Sequence, residues 1–196
     1  MRCVDGLLRF ISRSIVHLPE VYGFATLAGF EILKPSTDSA VLAELIKSPE
    51  FEDLDTTCPR RPRRSCSSDG CSETGSSRNQ LARGNKVRVL PMDRRPRPGP
   101  FFVSEIHVGS YKLMTGAHAR AVLDEWARDY EEPSAEVSAQ LERQIYTALD
   151  APRVYSLVEM GEATEWPGVY GLWAYCEFAA IDHDQRRLSL VVAAYD

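Results

Sequence analysis

The sequence predicts an α+β protein: a C-terminal two-layer domain, a mostly helical N-terminal segment and a basic tether between them. Three observations carry this expectation. Within residues 101–196, four stretches alternate apolar and polar side chains with the period of two that a half-buried strand requires. Between the first and second of these, two stretches repeat apolar residues at helical spacing. The formal net charge of -5 is also segmented. Residues 1–57 carry 5 Lys/Arg against 9 Asp/Glu, residues 58–100 carry 11 against 3, and residues 101–196 carry 7 against 16.

In the N-terminal segment, 1–57, Val4, Leu7, Leu8, Ile11, Ile15 and Leu18 recur at helical spacing, and Pro19 ends the pattern. This predicts an amphipathic helix. The stretch Tyr22 to Lys34 fits strand or helix, with Gly23 and Gly29 favouring strand or loop. Asp38 or Ser39 is placed to cap a helix carrying Val41, Leu42, Leu45 and Ile46 on one face, and Ser48-Pro49 opens another.

Residues 58–100 are dominated by Pro, Gly, Ser and Arg. Such a composition buries too little apolar surface to offset the ordering entropy of the backbone, about 1–2 kcal/mol per residue. A disordered linker is expected, with Lys86 to Leu90 as a short edge strand. Its Arg60, Arg61, Arg63, Arg64, Arg94, Arg95 and Arg97 suit contact with phosphates or an acidic partner. No aromatic residue is interleaved among them, so base stacking has no support. Cys58, Cys66 and Cys71 lack CxxC spacing and a nearby His, so no metal site is expected.

The C-terminal domain, 101–196, reads in the order β-α-α-β-β-β, with two helices on one face of a mainly antiparallel sheet. Phe101 to Leu113 alternates, with Phe102, Ile106 and Val108 on one face and Glu105, His107 and Tyr111 on the other. Thr115 caps a helix carrying Leu123, Trp126, Ala127 and Tyr130. Ser134 caps a second with Val137, Leu141, Ile145, Ala148 and Leu149. Arg153 to Met160, Val169 to Ile181 and Leu188 to Tyr195 read as strands. Asp182 to Arg187 reads as a polar hairpin turn. Met92, just ahead of this domain, is a candidate alternative start.

Several function classes are excluded or left without support. The longest apolar stretch, Val21 to Leu33, has 13 residues, whereas a spanning helix needs about 20. Asp5, Arg9 and Arg13 interrupt any secretory signal. Five cysteines, an odd number, fit a reducing, cytoplasmic setting. No zinc-protease, CxxC, nucleophile-elbow, phosphate-loop or dinucleotide pattern is present, and no cofactor is expected. The residues that remain for chemistry are Glu105, His107 and His118, an acid–base cluster if the fold brings them together.

The aromatic content of the last third points elsewhere. If Leu172, Ala174, Cys176, Phe178 and Ala180 face the helices, then Trp173, Tyr175 and Glu177 lie on the opposite sheet face, with Trp166 beside them. The leading expectation is a non-enzymatic interaction or regulatory module, of inhibitor or immunity type. It would present this acidic, aromatic face to a protein partner, a basic one by charge. The alternative for that face is cover by the N-terminal segment. An enzyme using Glu105, His107 and His118 and a nucleic-acid contact through the Arg-rich linker are the other two readings.

Overall fold

The computed structural model describes residues 6–18, 23–52, 101, 103–129, 131–158 and 175–195. Its centre is one six-stranded sheet in which every neighbouring pair is antiparallel. The strands are β1 (Leu8–Leu18), β2 (Gly23–Ile32), β3 (Tyr111–Met114), β4 (Arg153–Leu157), β5 (Tyr175–Asp182) and β6 (Arg187–Tyr195), in the spatial order β1-β2-β6-β5-β4-β3. The class is mixed α+β. Five further helical elements matter here: α1 (Asp38–Ile46), α2 (Pro49–Glu52), α3 (Gly116–Ala127), α4 (Ala135–Gln144) and the 3₁₀ turn Tyr146–Asp150.

The N-terminal segment corrects the helical expectation. Its first long element is a strand, and so is the stretch that follows it. The reason lies in a β-bulge between Phe10 and Ser12. One extra residue shifts the alternation out of phase. Leu8 and Phe10 lie opposite Ile32 and Phe30, while Val16 and Leu18, opposite Ala25 and Gly23, join the core of the other face. The helical spacing of Leu8, Ile11, Ile15 and Leu18 thus belongs to a strand flanked by a core on each face, with Ile11 exposed at the bulge. β2 then pairs with β6 from Gly23 opposite Tyr195 to Glu31 opposite Arg187. Residues from both ends of the chain thus share one sheet.

The first strand of the C-terminal region is also shorter than the alternation suggests. Only Tyr111–Met114 pairs with β4, and Val103–Glu105 and Val108–Ser110 are 3₁₀ turns. Ile106 and Val108 pack with α1 on one sheet face, so their spacing reports burial rather than pairing.

Two cores result. Cys176, Phe178, Ala180, Val191 and Ala193 meet Leu123, Trp126, Leu141 and Leu149 from α3, α4 and the turn after them. On the other face, Ala179, Ile181, Leu188, Leu190 and Val192 meet Val41, Leu42, Leu45 and Phe51 from α1 and α2. The caps are local: the hydroxyls of Thr37, Thr115 and Ser134 accept from the amides of Ala40, His118 and Val137. The β5–β6 turn carries Arg186 at φ 54°, a left-handed conformation uncommon for a residue with a side chain. Its guanidinium donates to the carbonyls of Ile32 (2.9 Å) and Leu33 (2.5 Å), which holds the turn against the end of β2.

Candidate functional site

The three residues of the expected acid–base cluster do not converge. Glu105 lies in a 3₁₀ turn and His107 caps the next one, in the layer that packs with α1. His118 sits exposed in the first turn of α3, whose buried side joins the core of the opposite face. No hydrogen bond or ion pair links them among the described residues, and no group of three His, Cys, Asp or Glu side chains there is arranged to hold a metal.

The sheet face expected to be open is covered by α1, α2 and the segment before β3. Glu177 is 1% exposed, and its carboxylate accepts hydrogen bonds from the hydroxyls of Tyr111 and Tyr175. Tyr175 is half-buried. Glu177 is therefore part of a buried polar network, the arrangement a polar group in a core requires, and is not presented at the surface. Trp166, Trp173 and the linker arginines Arg60, Arg61, Arg63, Arg64, Arg94, Arg95 and Arg97 lie outside the described residues. Cys176 faces the helices. Burial, with the charge of Glu125, pushes its thiol up to about 12. A thiol held that high is a poor nucleophile.

The structure assembles one polar constellation that sequence order hides. Asp38, in the first turn of α1, accepts from the hydroxyl of Tyr155 at 2.5 Å. Its other oxygen lies 2.6 Å from His183 Nε2, and Arg153 stands 3.1 Å away. Burial alone would raise the Asp38 carboxyl. The bonds from Tyr155 and His183 and the charge of Arg153 outweigh it and hold the carboxyl below its ordinary value. Burial and the Asp38 bond push the Tyr155 hydroxyl up. This group ties three elements together: the N-terminus of α1, strand β4 and the β5–β6 turn. The partners are 117 and 145 residues from Asp38 along the chain. No local spacing marks them.

A second feature appears only in the assembled sheet. Among the described residues, the large hydrophobic side chains left exposed are Phe10 at 38%, Ile11 at 54% and Leu113 at 61%. They belong to β1 or β3, the two outermost strands. β1 runs for 11 residues and, among the described residues, has a neighbouring strand on one side only. Its other edge offers the unpaired backbone donors and acceptors that an edge strand presents. Phe10 touches Phe30 edge-to-face, with ring centroids 5.6 Å apart, so it is partly anchored, whereas Ile11 at the bulge projects outward. β1 has no acid; of its basic side chains, Arg9 is paired with Glu31 of β2, Arg13 donates to the carbonyl of Glu50 in α2, and His17 is exposed. No helix among the described residues is long and apolar enough to cross a membrane. No family model, curated protein or solved structure matches the chain.

Proposed function

We propose that the protein is an interaction or regulatory module that takes an extended segment of a partner protein along the free edge of β1. The observation that carries this reading is the coincidence, on one long outermost strand, of an unpaired backbone edge and two exposed apolar side chains, Phe10 and Ile11. In strand addition, main-chain hydrogen bonds supply affinity and alternate side chains supply specificity. A second copy of β1 is a poor occupant, because antiparallel self-pairing would bring like charges together on both faces, Arg9 on one and Arg13 and His17 on the other, with no acid of β1 between them. An acidic segment with alternating apolar residues fits better. The interaction surface expected from sequence thus moves from a sheet face to a sheet edge, and the partner's charge changes sign.

The test uses a fluorescent peptide of alternating Val and Glu, about ten residues long to match the strand, titrated into the full chain. Binding is expected, with a peptide of alternating Val and Lys binding at least about tenfold more weakly. The substitution Ile11→Asp, at an exposed position, is expected to weaken the Val–Glu peptide by about tenfold or more without lowering the melting temperature. Equal affinity for both peptides, or an Ile11→Asp variant that binds as well as the parent, overturns the reading.

A further inference from the structure

The helical side of the sheet is not filled along its whole length. One row of register partners crosses four strands as Ser12, Gly29, Ser189 and Ala180. None of these side chains reaches past its first heavy atom beyond Cβ, so the floor here is flat. α4 ends at Gln144 and the following turn rises over this row without filling it. The result is a cavity of about 480 Å³ between the sheet and the helical layer, within the size range of small-molecule sites.

Two features of the lining indicate what it takes. Ser189 faces the cavity, and its hydroxyl, reached by the solvent there, has no protein hydrogen-bond partner among the described residues. A hydroxyl open to such a space can donate to or accept from a polar ligand in place of water. The walls carry charges of both signs: Arg143 and Asp150 on the helical side, Arg187 and Asp182 on the sheet side. None of the four forms an ion pair among the described residues. The Asp182 carboxylate accepts only the amide of Gln185 there, at 2.9 Å. No aromatic side chain among the described residues lines the cavity, so a sugar ring or a base has nothing to stack on.

We infer that the cavity binds a small zwitterion of amino-acid to dipeptide size. An arginine takes the carboxylate by paired N–H donors, an aspartate takes the ammonium, and the serine hydroxyls of the floor bond the peptide or backbone polar groups between them. This site is separate from the outer edge of β1, although Ser12 on the inner side of that strand contributes to its floor.

The test is a two-dimensional amide NMR titration of the full-length protein with glycylglycine. Saturable shifts are expected at Gly29, Thr147 and Ser189. The uncharged analogue N-acetylglycinamide is expected to give none. Thr147 is exposed on the cavity wall, so Thr147→Trp plugs the space without disturbing a buried position and is expected to weaken glycylglycine by about tenfold or more. Arg187→Gln, also at an exposed position, is expected to weaken it by a similar factor. Absence of saturable shifts at these three amides, equal binding of the uncharged analogue, or unchanged affinity in Thr147→Trp overturns the inference.

Discussion

Replacing Asp38 by Asn probes the junction on which three elements of the fold depend. The side chain keeps its size and one acceptor but loses its charge. Its bond with Tyr155, at 2.5 Å and largely shielded, becomes neutral, at a cost of about 1 kcal/mol. Arg153 is 55% exposed, so its pairing with Asp38 is screened by solvent and adds nothing to the sum. His183, 36% exposed, adds about 0.5 kcal/mol as a partly screened pair. The negative charge in the first turn of α1 contributes about 0.3–1 kcal/mol against the helix dipole. The sum is about 2 kcal/mol, which lowers the melting temperature of a chain this size by about 4–8 °C.

The same prediction has a pH signature. The folded carboxyl lies below its ordinary value of 3.8, so its stabilisation is fully present above that value. It is lost as pH falls through the folded pKa, because the native state must then accept the proton it had excluded. Thermal melts of the parent and Asp38→Asn proteins between pH 7 and pH 2 are therefore expected to differ most at neutral pH and to converge in acid. Asp184→Asn, on the exposed turn beside His183, serves as the control and is expected to change little. Identical melting temperatures at pH 7, or a gap that stays constant down to pH 2, would overturn the assignment of Asp38 as a charged clasp.

Two further outcomes follow from packing. A methyl group added at Gly116 would stand 2.1 Å from the carbonyl oxygen of Leu149, a backbone atom that cannot rotate away. Gly116→Ala is expected to cost about 3 kcal/mol in denaturant unfolding, and a loss under about 0.5 kcal/mol would show that α3 shifts freely against the turn after α4. With its thiol pushed up to about 12, Cys176 should resist iodoacetamide at pH 8 in the native protein and react only after unfolding. Peptide mapping that finds it alkylated as fast as a model thiol contradicts its burial.

Local signals make the helices and the last hairpin legible in the amino-acid sequence. Thr115 and Ser134 cap α3 and α4 through hydroxyl–amide bonds three residues ahead, and such caps are written within one turn of chain. The polar turn from Asp182 joins β5 and β6, whose pairing spans few residues. The segment from Leu8 to Leu18 misleads because its apolar side chains divide between the two faces of the sheet, with Ile11 exposed at the bulge, and together they fall at helical spacing. A bulge supplies the missing phase shift, and the pairing of β2 with β6, far away in sequence, decides that the segment is strand. Glu177 misleads for a related reason: alternation places it on a face, but only the layer of α1 and α2 covering that face makes it internal.

Residue order and spacing are enough for the α+β class, the capped helices and the apolar alternation of the C-terminal strands, because each depends on contacts within one or two turns of chain. Which strands stand at the sheet edges, which face is covered and which distant side chains meet are properties of the assembled fold alone. Asp38 finds Tyr155 and His183, Tyr111 finds Glu177, and Ser12 lines up with Gly29, Ser189 and Ala180. These juxtapositions follow from strand order and register. That order is set by the summed burial of the whole sheet rather than by any local pattern.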